Sequence, residues 1–138
     1  MIRFFVPGVP QPGGSKKAFV IGGKARVVED AKRNKDWRAV VALAAIEAHR
    51  AGPLDGPLRL SLEFTMPRPK GHYGKQGVKA SAARYHTTRP DTTKLIRSTE
   101  DALKGLLWRD DSQVAIQSAW KIYGETPGCW IEVEAIAT

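Results

Sequence analysis

Leu58, Leu60, Leu62, Phe64 and Met66 stand at strict two-residue spacing, with Arg59, Ser61, Glu63 and Thr65 between them. Side chains of a strand point alternately to its two faces, so this stretch requires a sheet that is buried on one side and solvated on the other. Such a strand needs neighbours for its backbone and a layer to cover its apolar face. The flanking sequence supplies both. Ile2 to Val6 reads as a first strand that stops at Pro7-Gly8. Ala18 to Ile21 and Ala25 to Val28 read as a short hairpin with Gly22-Gly23 at its turn. Between about Asp30 and Arg50 the apolar spacing becomes helical: Trp37, Val40, Val41, Ala44, Ala45 and Ala48 recur at three- and four-residue steps, and Gly52-Pro53 ends the run.

A second helix is expected from Thr92 to Leu107. Leu95, Ile96, Thr99, Ala102, Leu103 and Leu106 share one arc, and Thr93, Lys94, Arg97, Glu100, Asp101 and Lys104 the other. Val114, Ile116 and Ser118 then alternate with Ala115, Gln117 and Ala119, and Cys129 to Ile136 alternates again with Glu132 and Glu134 outward. These two segments are expected to close the fold as a hairpin joined through Gly124 to Gly128. The sum is an α+β protein, a mixed β-sheet with two main helices packed on one face, and residues 1–138 suffice for a single domain.

Charge narrows the function. The chain carries 22 Lys and Arg against 14 Asp and Glu, a net charge of +8, so polyanions are its natural partners. Pro67 to Arg89 contains Arg68, Lys70, Lys75, Lys79, Arg84 and Arg89 and no carboxylate. Lys16 and Lys17 lie in a second Gly- and Pro-rich loop. The lone Cys129 excludes an intrachain disulfide framework, and no run is apolar enough for a signal peptide or a membrane span, which points to a reducing cytoplasm. There is no Cys/His zinc spacing, no phosphate-cradling glycine loop and no Ser/His/Asp arrangement to call for an organic cofactor or a covalent mechanism.

Against this basic background Asp91, Asp101 and the Asp110-Asp111 pair surround one short amphipathic helix. Carboxylates that hold a hard cation, in surroundings that hold phosphate, are what a magnesium-dependent nuclease needs. Each residue also has a simpler task. Asp91 follows Pro90 where a helix begins and can cap its first turn. Asp101 lies one turn beyond Arg97 and can form an intrahelical ion pair worth about a few tenths of a kcal/mol. Asp110 and Asp111 suit a turn. His72, Tyr73, Tyr85 and His86 can stack on bases or pin the long loop. Trp37, Trp108, Trp120 and Trp130 are read as core or subunit contacts, and Cys129 as a core residue.

Taken together, the order Pro90-Asp91, Lys94, Arg97, Asp101-Ala102-Leu103 and Asp110-Asp111-Ser112-Gln113-Val114, with Val6-Pro7-Gly8-Val9-Pro10 and Gly14-Ser15-Lys16-Lys17 upstream, resembles the RusA family of endonucleases that resolve four-way (Holliday) DNA junctions. The resemblance implies metal-assisted phosphodiester hydrolysis by a homodimer acting on branched DNA, with no membrane partner. It assigns Asp91 and Asp111 to magnesium, with Asp110 a further candidate ligand. Arg97 falls at the family's catalytic basic position, and Asp101 would orient Arg97 or a water. Lys16, Lys17, Arg68, Lys70, Lys75, Lys79, Arg84, Arg89 and Lys94 would contact DNA. Thr93 departs from the pattern, since it occupies the place of a second carboxylate and a hydroxyl is a poor magnesium ligand. The alternative is therefore a protein that binds branched DNA without cutting it. Of the residues able to compensate, Asp110 is the expected one. Glu100 lies two helical turns, roughly 10 Å, from Thr93. A straight helix would also hold Asp91 and the loop of Asp111 roughly 20 Å apart, so a shared site requires a chain that doubles back or a partner subunit.

Overall fold

A computed structural model describes residues 1–13, 20–21, 24–25 and 27–137, with side chains described for 1–13 and 36–137. In chain order the elements are β1 (Ile2–Pro7), β2 (Val20–Ile21), β3 (Lys24–Ala25), α1 (Val27–Ala48), β4 (Leu58–Pro67), β5 (Tyr73–Gly74), β6 (Gly77–Val78), α2 (Thr92–Leu103), β7 (Val114–Gly124) and β8 (Gly128–Ala135). Lys16, Lys17 and the Gly22-Gly23 turn lie outside the described residues. β2 and β3 pair antiparallel as the expected hairpin, but Val27 and Val28 belong to α1.

The main sheet has the order β1-β8-β4-β7. β8 runs antiparallel to both β1 and β4, whereas β4 and β7 are parallel. The expected β7–β8 hairpin does not form, because β4 sits between the two strands. Its apolar side chains explain that place: Leu58, Leu60, Leu62 and Phe64 are fully buried and Met66 nearly so. A strand with so continuous an apolar face gains most from neighbours on both edges. The sheet is thus mixed and α+β, as the sequence pattern requires.

The inner face is covered by α1 and α2. Phe4, Val6, Leu60, Leu62, Cys129, Ile131 and Val133 meet Trp37, Val41, Ala45, Leu95 and Leu103 in one core. The helices are tied together by Trp37, whose indole N–H donates to Thr99 Oγ1 at 3.3 Å. Burial pushes the Cys129 thiol pKa well up and leaves it a neutral core group. Of the four tryptophans, Trp37 and Trp108 are core residues. Trp130 packs at 5.2 Å from Phe5 on the open outer face, and Trp120 stays largely exposed on that same face.

α2 ends at Leu103, a turn earlier than its apolar spacing predicts. Gly105 adopts a left-handed φ of +86°, which stops the helix and turns the chain back. Leu107 and Trp108 then enter the core rather than extending the helical arc. Near the start of α2 the amino-terminal loop comes into close contact: Gly13 N donates to Lys94 O at 2.9 Å, and Ser98 Oγ donates to Gln11 O at 2.5 Å. A Cβ on Gly13 would lie 2.9 Å from the Ser98 side chain and 3.0 Å from its backbone, so only glycine fits without a shift.

Truncating the central strand tests this architecture. Leu62→Ala is expected to cost about 2–5 kcal/mol in urea unfolding, as cavity-forming core substitutions do, whereas Ser61→Ala on the outer face should stay within about 0.5 kcal/mol.

Candidate functional site

β7 carries one more residue than its partner where the two strands begin. Leu58 pairs with Val114 but Arg59 pairs with Ile116, leaving Ala115 as the extra residue. An insertion of one residue exchanges the two faces of everything that follows. Ile116, Ser118, Trp120 and Ile122 therefore line up with Arg59, Ser61, Glu63 and Thr65 on the outer face. Gln117, Ala119, Lys121 and Tyr123 line up with Leu60, Leu62, Phe64 and Met66 on the side of the helices.

This places two polar side chains of β7 against α2. Lys121 Nζ donates to Thr88 O at 2.9 Å and to Pro90 O at 2.7 Å, bracketing the turn that leads into the helix. Partial burial lowers the Lys121 pKa, and the neighbouring Asp91 carboxylate opposes that shift. Asp91 occupies the N-cap position of α2, yet its side chain makes no capping hydrogen bond; the first turn is closed by its backbone carbonyl. Its exposed carboxylate is left available beside Lys121.

Farther along the helix, Thr93, Ile96, Arg97, Glu100 and Asp101 from α2 meet Asp111 and Gln117 around an open cavity of about 430 Å3. The chain doubles back between Leu103 and Asp111, so Asp111 reaches α2 of the same chain. Asp111 is oriented by the buried Trp108, whose indole N–H donates to its Oδ1 at 2.8 Å. Glu100 is half-buried. Burial and the nearby Asp111 push its pKa up, Gln117 within hydrogen-bonding reach pulls the other way, and Asp101 adds a smaller upward push. Arg97 and Asp101 are both exposed and line the cavity without pairing; among the described residues the ion pairs are Arg3–Glu132, Arg59–Glu134 and Arg109–Asp55. Four charged side chains that share a cavity without cancelling one another can present carboxylate oxygens and a guanidinium to one ligand.

Asp110 lies outside the cavity. Its Oδ1 accepts from Ser112 N at 2.9 Å, and Gln113 Oε1 accepts from Asp110 N at 3.1 Å, a reciprocal capping box over the short 3₁₀ turn Asp111–Gln113. Those bonds to Ser112 hold its pKa down. The adjacent aspartates thus divide, one capping a turn and the other facing the helix. Asp91 is also absent from the cavity wall and stands at the helix start, beside Lys121.

The basic loop is built against the other end of β7. His86 N donates to Lys121 O, and Tyr123 N donates to Arg84 O, so residues 84–86 extend the sheet there. Arg68 donates to Ala83 O at 2.8 Å and lies 5.5 Å over the Tyr123 ring, which His72 and His86 flank edge-on at 4.8 and 5.0 Å. His72, His86 and Arg68 therefore pin the loop. Tyr73 and Tyr85 remain exposed, as do Lys70, Lys75, Lys79, Arg84, Arg89 and Lys94.

Lys121 and Gln117 are the site residues that sequence spacing does not single out. For Lys121 and Gln117 no local signal exists, because the extra residue at Ala115 decides their face. Glu100 was visible as a member of the polar arc with Thr93 and Arg97.

A small mixed-sheet α+β protein with an acidic and basic cleft between a helix start and a returning strand is the class that fold and site define. The chain belongs to the family of the endodeoxyribonuclease RusA, whose sequence model matches residues 7–134. It is also 28% identical over 139 residues to a Bacillus subtilis (strain 168) protein named "Uncharacterized protein YqaN", covering 99% of this chain and 97% of that one. Among the described residues no helix is long and apolar enough to cross a membrane.

A carboxyl with a raised folded-state pKa holds its proton more tightly folded than unfolded, so stability falls as pH rises between the unfolded and folded values. Glu100→Gln is accordingly expected to raise the urea midpoint modestly at pH 7. That advantage should disappear as the pH is taken below the ordinary carboxylate range.

Proposed function

We propose that this protein is a magnesium-dependent endodeoxyribonuclease that resolves four-way DNA junctions by paired phosphodiester hydrolysis, acting in the cytoplasm as a two-fold homodimer. The observation that carries the proposal is the cavity in which Asp111, Glu100, Asp101 and Arg97 meet within a chain of the RusA family. Two-fold symmetry in the protein would match the paired cuts a four-way junction requires.

The donor set fits the implied cation. Among the described residues no three acidic, imidazole or thiol groups converge into a closed metal cage. Magnesium does not need one, since it keeps several waters and is commonly held by one or two carboxylates together with substrate phosphates. The cavity wall offers oxygen donors from Thr93, Glu100, Asp101, Asp111 and Gln117 and no thiol or imidazole, which suits a hard cation. Asp111 would hold it from the cavity wall, with Asp91 contributing from the helix start outside that wall. When bound, the cation supplies Lewis acidity toward the phosphate and toward the attacking water.

The other residues act on the DNA and on each other. Trp108 keeps one Asp111 oxygen occupied and would leave the second free for the cavity. The Arg97 guanidinium would stabilise charge developing on the phosphoryl oxygens, with two parallel donors where a lysine offers one point charge. Asp101, in the same wall, would orient Arg97. Lys121 would hold the turn that presents Asp91. Lys70, Lys75, Lys79, Arg84, Arg89, Lys94, Lys16 and Lys17 would neutralise phosphates, and the exposed Tyr73 and Tyr85 can stack on unpaired bases. Arg68 would act chiefly by holding the loop.

A second reading rests on Thr93, which faces the cavity with a hydroxyl where the family pattern carries a carboxylate. It makes the protein a binder of branched DNA that does not cut. Labelled four-way junctions separate the two. The nuclease gives symmetric nicks that require magnesium and fall at least about 100-fold in Asp111→Asn. Binding without nicks, with cutting gained in Thr93→Asp, would replace it with the second reading. In either case junction affinity should fall by about 10³-fold between about 50 and about 200 mM salt if some six phosphates are neutralised.

A further inference from the structure

Resting on that reading of the cavity as a cation site, we propose that Glu100 supplies the carboxylate that Thr93 lacks, so that the acidic site is shifted along α2 rather than disarmed. Thr93, Arg97 and Glu100 follow one another at four- and three-residue steps and line the same wall of the cavity. Asp111 faces that wall, close enough to Glu100 for the two charges to act on each other. The distance that counts against Glu100, two helical turns from Thr93, is measured along the helix axis. The ligand that matters is Asp111, and the returning chain brings it to Glu100.

Two further features favour this placement. Helical side chains lean toward the amino-terminal end of their helix, so the long Glu100 side chain reaches back toward Arg97 and Thr93. Gln117, turned inward by the extra residue in β7, stands beside Glu100 and can donate an amide hydrogen to one carboxylate oxygen. Glu100 and Asp111 would then each have one oxygen held by a neutral donor, Gln117 and Trp108, and one directed at the cation. Asp110, held in its capping box, cannot serve without breaking that turn.

The test is binding of Mn2+ alone, followed by electron paramagnetic resonance of the free ion, on the full-length protein without DNA. Glu100→Gln is expected to weaken Mn2+ binding by about ten-fold or more, because affinity follows the number of charged ligands. Adding Thr93→Asp to that variant should restore binding, and magnesium-dependent junction cleavage should fall and recover in step. Glutamine keeps the shape of Glu100, and a thermal melt of each variant confirms that the fold is intact. If Asp111→Asn weakens Mn2+ binding while Glu100→Gln matches the wild type, the inference is overturned and the nuclease reading stands. If wild-type protein binds no Mn2+ and leaves four-way junctions uncut in magnesium, both are overturned; if it binds no Mn2+ yet cuts, and Glu100→Gln cuts as fast, the inference alone falls.

Discussion

The parallel pairing of β4 with β7, offset by the extra residue at Ala115, is the constraint on which the site depends. β4 is fixed by its burial and offers β7 one inner edge. Had the strands paired without the insertion, Ile116 would have turned inward and Gln117 and Lys121 outward. Lys121 could not then reach Thr88 and Pro90, and Gln117 could not stand beside Glu100. The cost is an exposed Ile116 and Trp120 on the outer face, at 43% and 41% exposure. A bulge that places apolar groups in water in order to turn polar ones toward a helix is better explained by what the polar side does than by packing.

The second determinant is the early end of α2. Gly105 turns the chain one helical turn sooner than the apolar arc requires, and Trp108 anchors the return by filling the core. Its indole has only one hydrogen to donate, and the acceptor it finds is Asp111. Burying a large side chain thereby fixes the direction of a charged one, because rotation of Asp111 would leave a polar N–H without its partner. The Asp110 capping box and the bonds of Gln113 to Leu54 O and Gly56 O hold the same turn from the other side. The turn is thus held by hydrogen bonds that need no cation.

These two devices also mark where sequence is a sufficient guide and where it is not. The strand at Leu58 to Met66, both helices and the α+β class follow from periodicity, since burial of one face dictates the spacing of apolar residues. Strand order does not follow, because β7 and β8 alternate equally well whether they pair with each other or flank β4. A bulge is invisible for a related reason: Val114, Ile116 and Ser118 alternate on either side of it, and only the partner strand shows which face they take. The Asp110-Asp111 pair is legible as acidic but not as a division between a cap and a cavity wall. Asp91 shows the reverse failure: its position is that of a helix cap, yet its carboxylate makes no capping bond.

In a chain of net charge +8 the cavity leaves three carboxylates without an ion pair among the described residues, although Arg97 shares its wall. Asp101 and Arg97 lie one helical turn apart and could pair at little cost, while burial, and after it repulsion from Asp111, raises the Glu100 pKa. Proteins under selection for stability alone tend to neutralise such groups or replace them with apolar ones. An arrangement that retains the repulsion is favoured when a ligand that binds the folded state relieves it. The lysines and arginines on the loop pinned over Tyr123 would draw a polyanion to the protein, but they do not substitute for a cation between the carboxylates, because none of them lines the cavity. On the proposed reading the basic loop would gather the phosphates, and the unpaired carboxylates would leave a place for a small hard cation.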